Sequence, residues 1–253
     1  MDRSTGTNAI LQNVLVMRHG DRIDNEQPLW ISKATRPWDP PLVTIGKTRA
    51  STIGKKLRSV GFPIHRVIVS PFLRCLQTAA EVVRALCAVV GEDDEDADID
   101  ASKVKVSIEY GICEIIGPAA IPPYTRPKDG KWFPDIAELE AVLPAETIDH
   151  SAGRIYQALP QWEESLQQAG RRYEEIFVAL ADKFPNENLL LVTHGEGVGV
   201  AVSSFSDKLE AFDVEYCAFA QLQRQIQGSN DSNDKTFKVI LQEGQTGISY
   251  ITN

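Results

Sequence analysis

Two histidines and three arginines in this sequence carry side chains that could together bind and attack a phosphate group. Arg18, His19 and Arg22 follow one short apolar run, Arg74 comes soon after a second, and His194 follows a third. An arginine fork matches a pair of phosphate oxygens. A histidine can act as a nucleophile because its neutral form exists near neutral pH.

The three apolar runs are predicted to be buried strands. They are residues 13–17 (NVLVM), 66–69 (RVIV) and 189–193 (LLLVT). In an open parallel sheet, ligands bind outside the carboxyl ends of the strands. One Arg-His-Gly triplet is a weak signal by itself. Reactive groups after three strands are expected to meet at one rim of the sheet, and this co-occurrence favours a shared site.

The order of the remaining elements predicts the fold class. Helices are expected at residues 44–60, 72–90 and 160–184 and after residue 193, and further strands at 104–109, 214–222 and 236–242. Strands that alternate with helices indicate an α/β three-layer sandwich, with a mainly parallel sheet between helices on both faces. The last two strands, joined by a polar turn, are expected to form an antiparallel edge.

The chain is expected to form a single domain over residues 1–253, because no internal repeat or clear linker divides it. Residues 23–41 and an irregular insertion at about residues 117–150 are long loops rich in proline and aromatic residues. Loops of this length often cover a site. The acidic run at residues 91–100 is expected to be a solvated loop.

Composition narrows the possible partners. The net charge of −9 disfavours nucleic acid and anionic membranes as partners, and no apolar run reaches the length of a membrane span. The first ten residues lack the apolar core of a signal peptide. The four cysteines form no CxxC pair and are predicted to be free, buried thiols in a reducing compartment, which favours the cytoplasm or the nucleus.

Three segments resemble the histidine phosphatase superfamily, in its phosphoglycerate mutase-like branch. They are residues 14–24 (VLVMRHGDRID), 69–80 (VSPFLRCLQTAA) and 189–195 (LLLVTHG). The likeness extends over roughly residues 14–203. Within the branch, Arg22 and the aromatic-rich loops are similar to the phosphatase domain of the suppressor of T-cell receptor signalling proteins.

The resemblance implies a metal-independent phosphomonoester hydrolase without a cofactor, acting on a phosphorylated small molecule or a phosphoprotein. His19 would be the nucleophile and would form a phosphohistidine. Phosphate would be held by Arg18, Arg22, Arg74 and His194. Activity as a phosphoglycerate-type mutase is a less favoured interpretation. Such enzymes usually carry a serine and a Trp-Asn pair after Arg-His-Gly, where this chain has residues 21–23 (DRI).

The resemblance also implies a general acid in residues 110–117 (YGICEIIG), which is Glu114, and Glu109 is the competing candidate. A general acid must hold a proton near neutral pH. We therefore expect burial beside Cys113, Ile115 and Ile116 to raise the pKa of Glu114.

The sequence is also compatible with a second kind of function, while two further functions are disfavoured. A non-catalytic or weakly active member of the same fold, which binds phosphorylated ligands or partners, would carry the same site residues. A nucleotide-binding module is disfavoured because residues 195–199 (GEGVG) miss the glycine spacing of the dinucleotide fingerprint. A cysteine-dependent phosphatase is disfavoured because no cysteine has an arginine six positions later. The substrate and the oligomeric state are left open.

Overall fold

The computed structural model describes residues 10–89, 98–226, 237–241 and 247–252. Most of the acidic run at residues 91–100 lies outside these ranges, as does the polar turn that was predicted before the last strand. In chain order, the strands and α-helices are β1 (Ile10–Arg18), α1 (Ile23–Glu26), α2 (Thr44–Ser59), β2 (Arg66–Val69), α3 (Leu73–Cys87), β3 (Lys105–Ile108), α4 (Ile136–Glu140), α5 (Leu166–Lys183), β4 (Leu189–Thr193), α6 (Gly195–Ser203), β5 (Leu209–Val214), β6 (Phe219–Ile226), β7 (Lys238–Ile240) and β8 (Ile248–Thr252).

The central sheet has six strands in the order β3-β2-β4-β1-β6-β7. The first four are parallel to one another, while β6 runs antiparallel to β1 and β7 antiparallel to β6. The prediction of a mainly parallel sheet with an antiparallel edge is therefore confirmed. A separate two-stranded sheet of β5 and β8 was not predicted.

Apolar side chains on the two faces of the sheet form two cores. Leu15, Val67 and Leu190 lie in one core with residues of α2 and α3. Val14 and Leu189 lie in the other with residues of α5 and α6. Successive strand residues point to opposite faces, so strands covered on both sides read as continuous apolar runs. The three-layer arrangement is confirmed.

The prediction of one continuous strand over residues 214–222 is wrong, because the chain turns within this range. β5 ends at Val214 and β6 begins at Phe219. In the turn between them, Cys217 has a positive φ of 59° and its amide donates to the carbonyl of His19 at 3.2 Å. The turn contains no glycine or proline, so the usual sequence signals do not reveal it.

The helix expected from residue 160 begins later. α5 starts at Leu166, where Ser165 and Gln168 form a capping box. Glu163 has a φ of 75°, which interrupts any helix running from residue 160. Two expected loops also contain regular structure: residues 23–41 include α1 and a 3-10 turn, and the insertion includes α4 and two 3-10 turns.

The pairing of the strands brings the expected chemical groups to one rim. Arg18 at the end of β1 pairs with Thr193 of β4. Val69 at the end of β2 pairs with Val192 of β4. The residues that follow these three strands therefore meet at the carboxyl edge of the sheet. None of the helices among the described residues is long and apolar enough to cross a membrane.

Candidate active site

His19 lies at the centre of this rim and is 2% exposed. Its amide donates to the carbonyl of Thr193 at 3.0 Å, which continues the pairing of β1 with β4. Its Nδ1 lies 2.8 Å from the carbonyl oxygen of Gly20 and therefore carries the proton. Nε2 then keeps its lone pair. This is the tautomer that a nucleophilic histidine needs.

Two glycines fix the backbone on which His19 sits. A Cβ on Gly20 would lie 2.7 Å from the carbonyl oxygen of Gly46 in α2, and a Cβ on Gly46 would lie 2.6 Å from the amide nitrogen of Asp21. Only glycines allow this approach of backbone to backbone. The amide of Gly20 also donates to Thr78 Oγ1 of α3 at 2.9 Å. The turn after β1 is therefore held by α2 and α3 together.

His194 faces His19, with ring centroids 5.5 Å apart. Its Nδ1 lies 3.1 Å from Glu114 Oε2, and its Nε2 lies 2.9 Å from Ser70 Oγ. An ionised carboxylate only accepts hydrogen bonds, so Nδ1 carries the proton and the serine hydroxyl donates to Nε2. Burial lowers the pKa of His194 to about 4, and the ring is neutral near pH 7.

The pKa of His19 also lies well below the ordinary value. Burial is the main cause, because it disfavours the charged ring. The positive charge of Arg74 acts in the same direction. His19 is consequently neutral at neutral pH, as attack on phosphorus requires.

Arg74 of α3 is 2% exposed and its guanidinium lies between several polar groups. Nη2 donates to Glu114 Oε2 at 3.0 Å, and Nη1 lies 3.9 Å from a carboxylate oxygen of Asp39. Among the described residues, neither Nε nor Nη1 has a hydrogen-bond partner. A buried donor without a partner is costly, so this guanidinium is suited to bind an anion.

Arg18 presents a second such group. Its Nη1 donates to the carbonyl of Val214, and its Nε has no hydrogen-bond partner within the described ranges. The guanidinium lies 4.2 Å from the ring centroid of Tyr216. A Cβ on Gly195, the first residue of α6, would come within 3.4 Å of the Arg18 Nε. Arg18 is thus fixed against the start of α6, beside His194.

Arg22 is placed differently from the other two arginines. Its Nε donates to Asp24 Oδ1 at 2.9 Å, and its side chain is 25% exposed. The pKa of Arg22 is raised, since burial is outweighed by the bond to Asp24. Arg22 must therefore share or leave this carboxylate in order to hold a phosphate.

Glu114 reaches the site, but the expectation of a raised pKa is wrong. Burial does raise its pKa, but the hydrogen bond from His194 and the charge of Arg74 outweigh burial and hold the pKa well below the ordinary value. The apolar neighbours Cys113, Ile115 and Ile116 alone would raise the pKa, but the two polar partners are distant in sequence. The side chain is ionised in the unliganded protein.

Glu109 lies outside the site. One of its oxygens accepts from the amides of Gly111 and Tyr156, at 2.9 and 3.0 Å, and the other accepts from the amide of Ile155 at 2.7 Å. These hydrogen bonds tie the Glu109 carboxylate to backbone amides of its own loop and of residues 155–156. The geometry therefore leaves Glu114 as the carboxylate that faces the two histidines.

Two further residues at the rim were missed by the sequence argument. The ring of Tyr216 lies 5.8 Å from the ring of His19, and its hydroxyl accepts from the side-chain amide of Asn25. Asp39, which is 2% exposed, accepts from the amide of Leu73 at 2.7 Å and lies behind Arg74. Tyr216 belongs to the turn that the sequence did not reveal. Asp39 lies in a loop whose conformation could not be derived.

The other two histidines lie elsewhere in the fold. His65 Nδ1 accepts from the amide of Asn188 at 2.9 Å, at the amino end of β2. His150 is exposed and lies 3.6 Å from Glu140. Within the described ranges, no three histidine, cysteine, aspartate or glutamate side chains are grouped so that they could hold a metal ion.

All four cysteines are free and buried, as predicted. Cys75 Sγ lies 3.6 Å from His194 Nε2. Burial raises the pKa of Cys75, and it raises the pKa of Cys113 and Cys217 to about 12 each. These thiols are protonated near neutral pH and are poor nucleophiles.

Parts of this chain are similar to known proteins. The family model of the histidine phosphatase superfamily (branch 1) matches residues 14–105. Human ubiquitin-associated and SH3 domain-containing protein A is 26% identical over 249 residues, covering 85% of this chain and 34% of the relative. Ecdysteroid-phosphate phosphatase of Drosophila melanogaster is 22% identical over 253 residues, covering 84% of this chain and 30% of the relative. The chain thus spans about a third of the length of these relatives.

Solved structures show the same fold. The ecdysone phosphate phosphatase from Bombix mori, in complex with tungstate, has a TM-score of 0.63 and 21% identity, and the match covers 91% of this chain and 92% of that one. A phosphoglycerate mutase from Bacillus anthracis has a TM-score of 0.56 and 20% identity, with 92% of each chain covered.

Proposed function

We propose that this chain, whose residues 14–105 match the family model of the histidine phosphatase superfamily, is a phosphomonoester hydrolase that forms a phosphohistidine on His19 and needs no metal ion. The observation that carries this proposal is the pairing of a neutral imidazole with unpartnered guanidinium nitrogens. His19 Nε2 has a free lone pair, and Arg74 beside it has two buried nitrogens without a hydrogen-bond partner among the described residues. A nucleophile thus lies beside an anion-binding group.

The phosphoryl group is held by Arg18, Arg74 and His194 in this mechanism, and Arg22 joins them when it releases Asp24. Charge develops on the three oxygens of the transferring group. Fixed guanidinium groups in a buried site stabilise that charge without reorganisation. The arginines therefore supply the electrostatic stabilisation for which other phosphatases use metal ions.

In the first step, the lone pair of His19 Nε2 forms a bond to phosphorus while the bond from phosphorus to the ester oxygen breaks. The electron pair of that bond goes to the leaving oxygen, which takes a proton from Glu114. Glu114 is ionised in the unliganded protein, so the proton must arrive with the substrate. A phosphate monoester has a second pKa of about 6, and its monoanion can deliver that proton. A bound phosphate also raises the pKa of the neighbouring carboxylate, because like charges repel.

In the second step, the ionised Glu114 takes a proton from water as the water oxygen attacks phosphorus. The bond from phosphorus to His19 breaks, and its electron pair returns to Nε2. Glu114 passes this proton to the departing phosphate, which leaves, so the ionised Glu114 and the starting tautomer of His19 are both restored. The low pKa of Glu114 suits this step, since a base must be ionised before it can act.

A hydrolysis assay tests the proposal. The protein should release p-nitrophenol from p-nitrophenyl phosphate, and His19→Ala should fold normally and lose nearly all activity. Chelators should leave the rate unchanged, and vanadate, which mimics the transferring phosphoryl group, should inhibit strongly. Loss of activity in a chelator with recovery on adding a divalent ion would show that the reaction class is wrong.

A second candidate is a member that binds phosphorylated ligands with little turnover. The contacts that favour it are the two ion pairs already made within the site, Arg22 with Asp24 and Glu114 with Arg74. Both must rearrange before catalysis. Binding of vanadate or of a phosphopeptide without hydrolysis of any ester in a panel would support this alternative.

The natural ligands we propose are phosphorylated small molecules or phosphoproteins in the cytoplasm or the nucleus. The four free thiols support a reducing compartment. The human and Drosophila relatives extend well beyond the matched region, so their wider activities are not assigned to this chain. A panel of phosphorylated metabolites and phosphopeptides, tested with purified protein, separates the two substrate classes.

A further inference from the structure

The segment that carries Glu114 rests on a buried ion pair outside the site. Glu164 and Arg172 are 8% and 5% exposed. Arg172 Nε lies 2.7 Å from Glu164 Oε1, and Arg172 Nη2 lies 2.8 Å from Glu164 Oε2. Arg172 belongs to α5, and Glu164 lies just before it. Neither residue has a part in the mechanism described above.

Several backbone groups of residues 111–116 are bound by this pair and by Tyr173, the next residue of α5. Arg172 Nη1 donates to the carbonyls of Gly111 and Cys113 at 2.7 and 3.2 Å. Tyr173 donates its hydroxyl proton to the carbonyl of Cys113 at 2.6 Å. The amide of Ile116 donates to Glu164 Oε2 at 3.0 Å, and the Glu164 amide donates to the carbonyl of Ile116 at 3.1 Å. The backbone is thus held on both sides of Glu114.

The approach of these segments is close enough to exclude a side chain. A Cβ on Gly117 would lie 2.4 Å from the carbonyl oxygen of Glu164. We call Glu164, Arg172 and Tyr173 the cradle. It holds the backbone before and after Glu114.

The contacts of the Glu114 carboxylate show why its position depends on the cradle once substrate is bound. In the unliganded protein, Arg74 and His194 hold Oε2. In the proposed mechanism, both of these groups turn to the phosphoryl group, so the carboxylate loses them when the reaction begins. What then keeps it near the ester oxygen is the position of its own backbone.

We propose that Glu164, Arg172 and Tyr173 are positioning residues that hold Glu114 at the leaving-group oxygen while substrate occupies the site. This inference rests on the proposed function, because it assumes that Glu114 is the acid and base. The cradle touches no reacting atom and acts only through Glu114. A displacement of about 1 Å can cost as much as 10²-fold in rate.

Tyr173→Phe is the sharpest test, because it removes one donor to the carbonyl of Cys113 and keeps the buried ring. We expect it to slow hydrolysis of an alkyl phosphate about tenfold. The phosphorylation step with an aryl phosphate, isolated by rapid mixing, should change by less than about twofold, because a good leaving group departs without a proton. Tyr110→Phe is the control. It removes a hydroxyl from the turn just before Glu114, where the ring contacts Arg154, and should leave both rates unchanged.

A double variant separates positioning from a merely structural role. In a Glu114→Gln background, Tyr173→Phe should have no further effect on the alkyl phosphate, since the group being positioned is gone. An equal loss on both esters, or a loss that persists in the Glu114→Gln background, would overturn the inference while leaving the proposed function intact. If Glu114→Gln itself shows no dependence on the leaving group, the proposed acid role fails and the inference fails with it.

Discussion

The protonation states of His19 and Glu114 determine how activity should depend on pH. Burial keeps the pKa of His19 well below its ordinary value of about 6.5. A lowered pKa means that the neutral nucleophile persists as the pH falls through that value. The acidic limb of kcat/KM is therefore expected well below about pH 6.5, in contrast to an exposed histidine.

We expect the second pKa of the substrate to determine the alkaline limb of the kcat/KM profile. If the monoanion brings the proton to Glu114, kcat/KM declines above the second pKa of the ester, at about pH 6. Measuring the profile with two esters of different second pKa tests this. The alkaline limb should move with the ester. A limb that stays fixed, or an acidic limb at about pH 6.5, would contradict the assigned protonation states.

Asp39 should make stability depend on pH in the opposite sense from most carboxylates. Burial raises its pKa to about 6, against the opposing charges of Arg74 and Arg36 and the amide of Leu73. The folded state then binds the proton more tightly than the unfolded state, whose pKa is about 3.9. The stabilisation is present below about pH 4 and is lost as the pH rises through 6, by about 3 kcal/mol in all.

Asp39→Asn removes this titration. Relative to the native protein, the variant should gain about 2 kcal/mol of unfolding free energy between about pH 4 and pH 7, because at pH 4 part of the full effect is already lost. Urea unfolding of both proteins at the two pH values measures the difference. An identical change in stability for both proteins would show that Asp39 is ionised across the range.

Most residues that the sequence predicts for the candidate site do lie together in the structure, but their protonation states could not be predicted. Arg18, His19, Arg74 and His194 could be placed together because each lies close after a strand end. The ionised state of Glu114 could not be foreseen, since it depends on Arg74 and His194, which are distant in sequence. Tyr216 and Asp39 could not be predicted as site residues either. Tyr216 lies in a turn without glycine and Asp39 in a long loop, and neither kind of segment has a sequence pattern that reveals its conformation.

The helices contribute through backbone contacts as well as apolar packing. α2 meets the turn after β1 where Gly46 faces Asp21. Gly46→Ala should push this turn away from α2 and displace His19. We expect a fall in kcat of about 10²-fold and a loss of stability of about 1–3 kcal/mol, as for an overpacked site.

Gly170→Ala is the matched control, because Gly170 lies within α5 and a Cβ there would meet nothing within 4 Å. It should raise stability by about 0.5–1 kcal/mol and leave kcat unchanged. Thermal unfolding and steady-state rates of both variants measure these changes in stability and kcat. Full activity in Gly46→Ala would mean that the turn does not need this contact.

At the level of elements, the buried parallel strands were the easiest to predict. Continuous apolar runs define β1, β2 and β4 because both faces of these strands are covered. The small sheet of β5 and β8 was missed, since its half-exposed strands lack a clear apolar pattern. The start of α5 was misplaced because its true signal is the capping box at Ser165 rather than its periodicity.

The whole molecule is acidic, yet its site gathers three arginines and two neutral histidines at one rim. A net charge of −9 would repel a phosphate dianion at long range, so attraction must come from the rim itself. The single domain predicted over residues 1–253 stays a prediction. The loops at residues 23–41 and 117–150 are the regions whose conformation could not be derived from the sequence. Asp24 and Asp39 lie in the first of them, and Arg22 immediately precedes it.

The central claim is that phosphate passes through His19, and trapping that intermediate tests it most directly. Protein mixed with a ³²P-labelled phosphate ester and quenched in alkali during turnover should carry label that is stable in base and labile in acid. Peptide mapping should place the label on residue 19, and His19→Ala should carry none. An acid-stable adduct, label on another residue, or turnover with no labelled protein at any time would contradict the account.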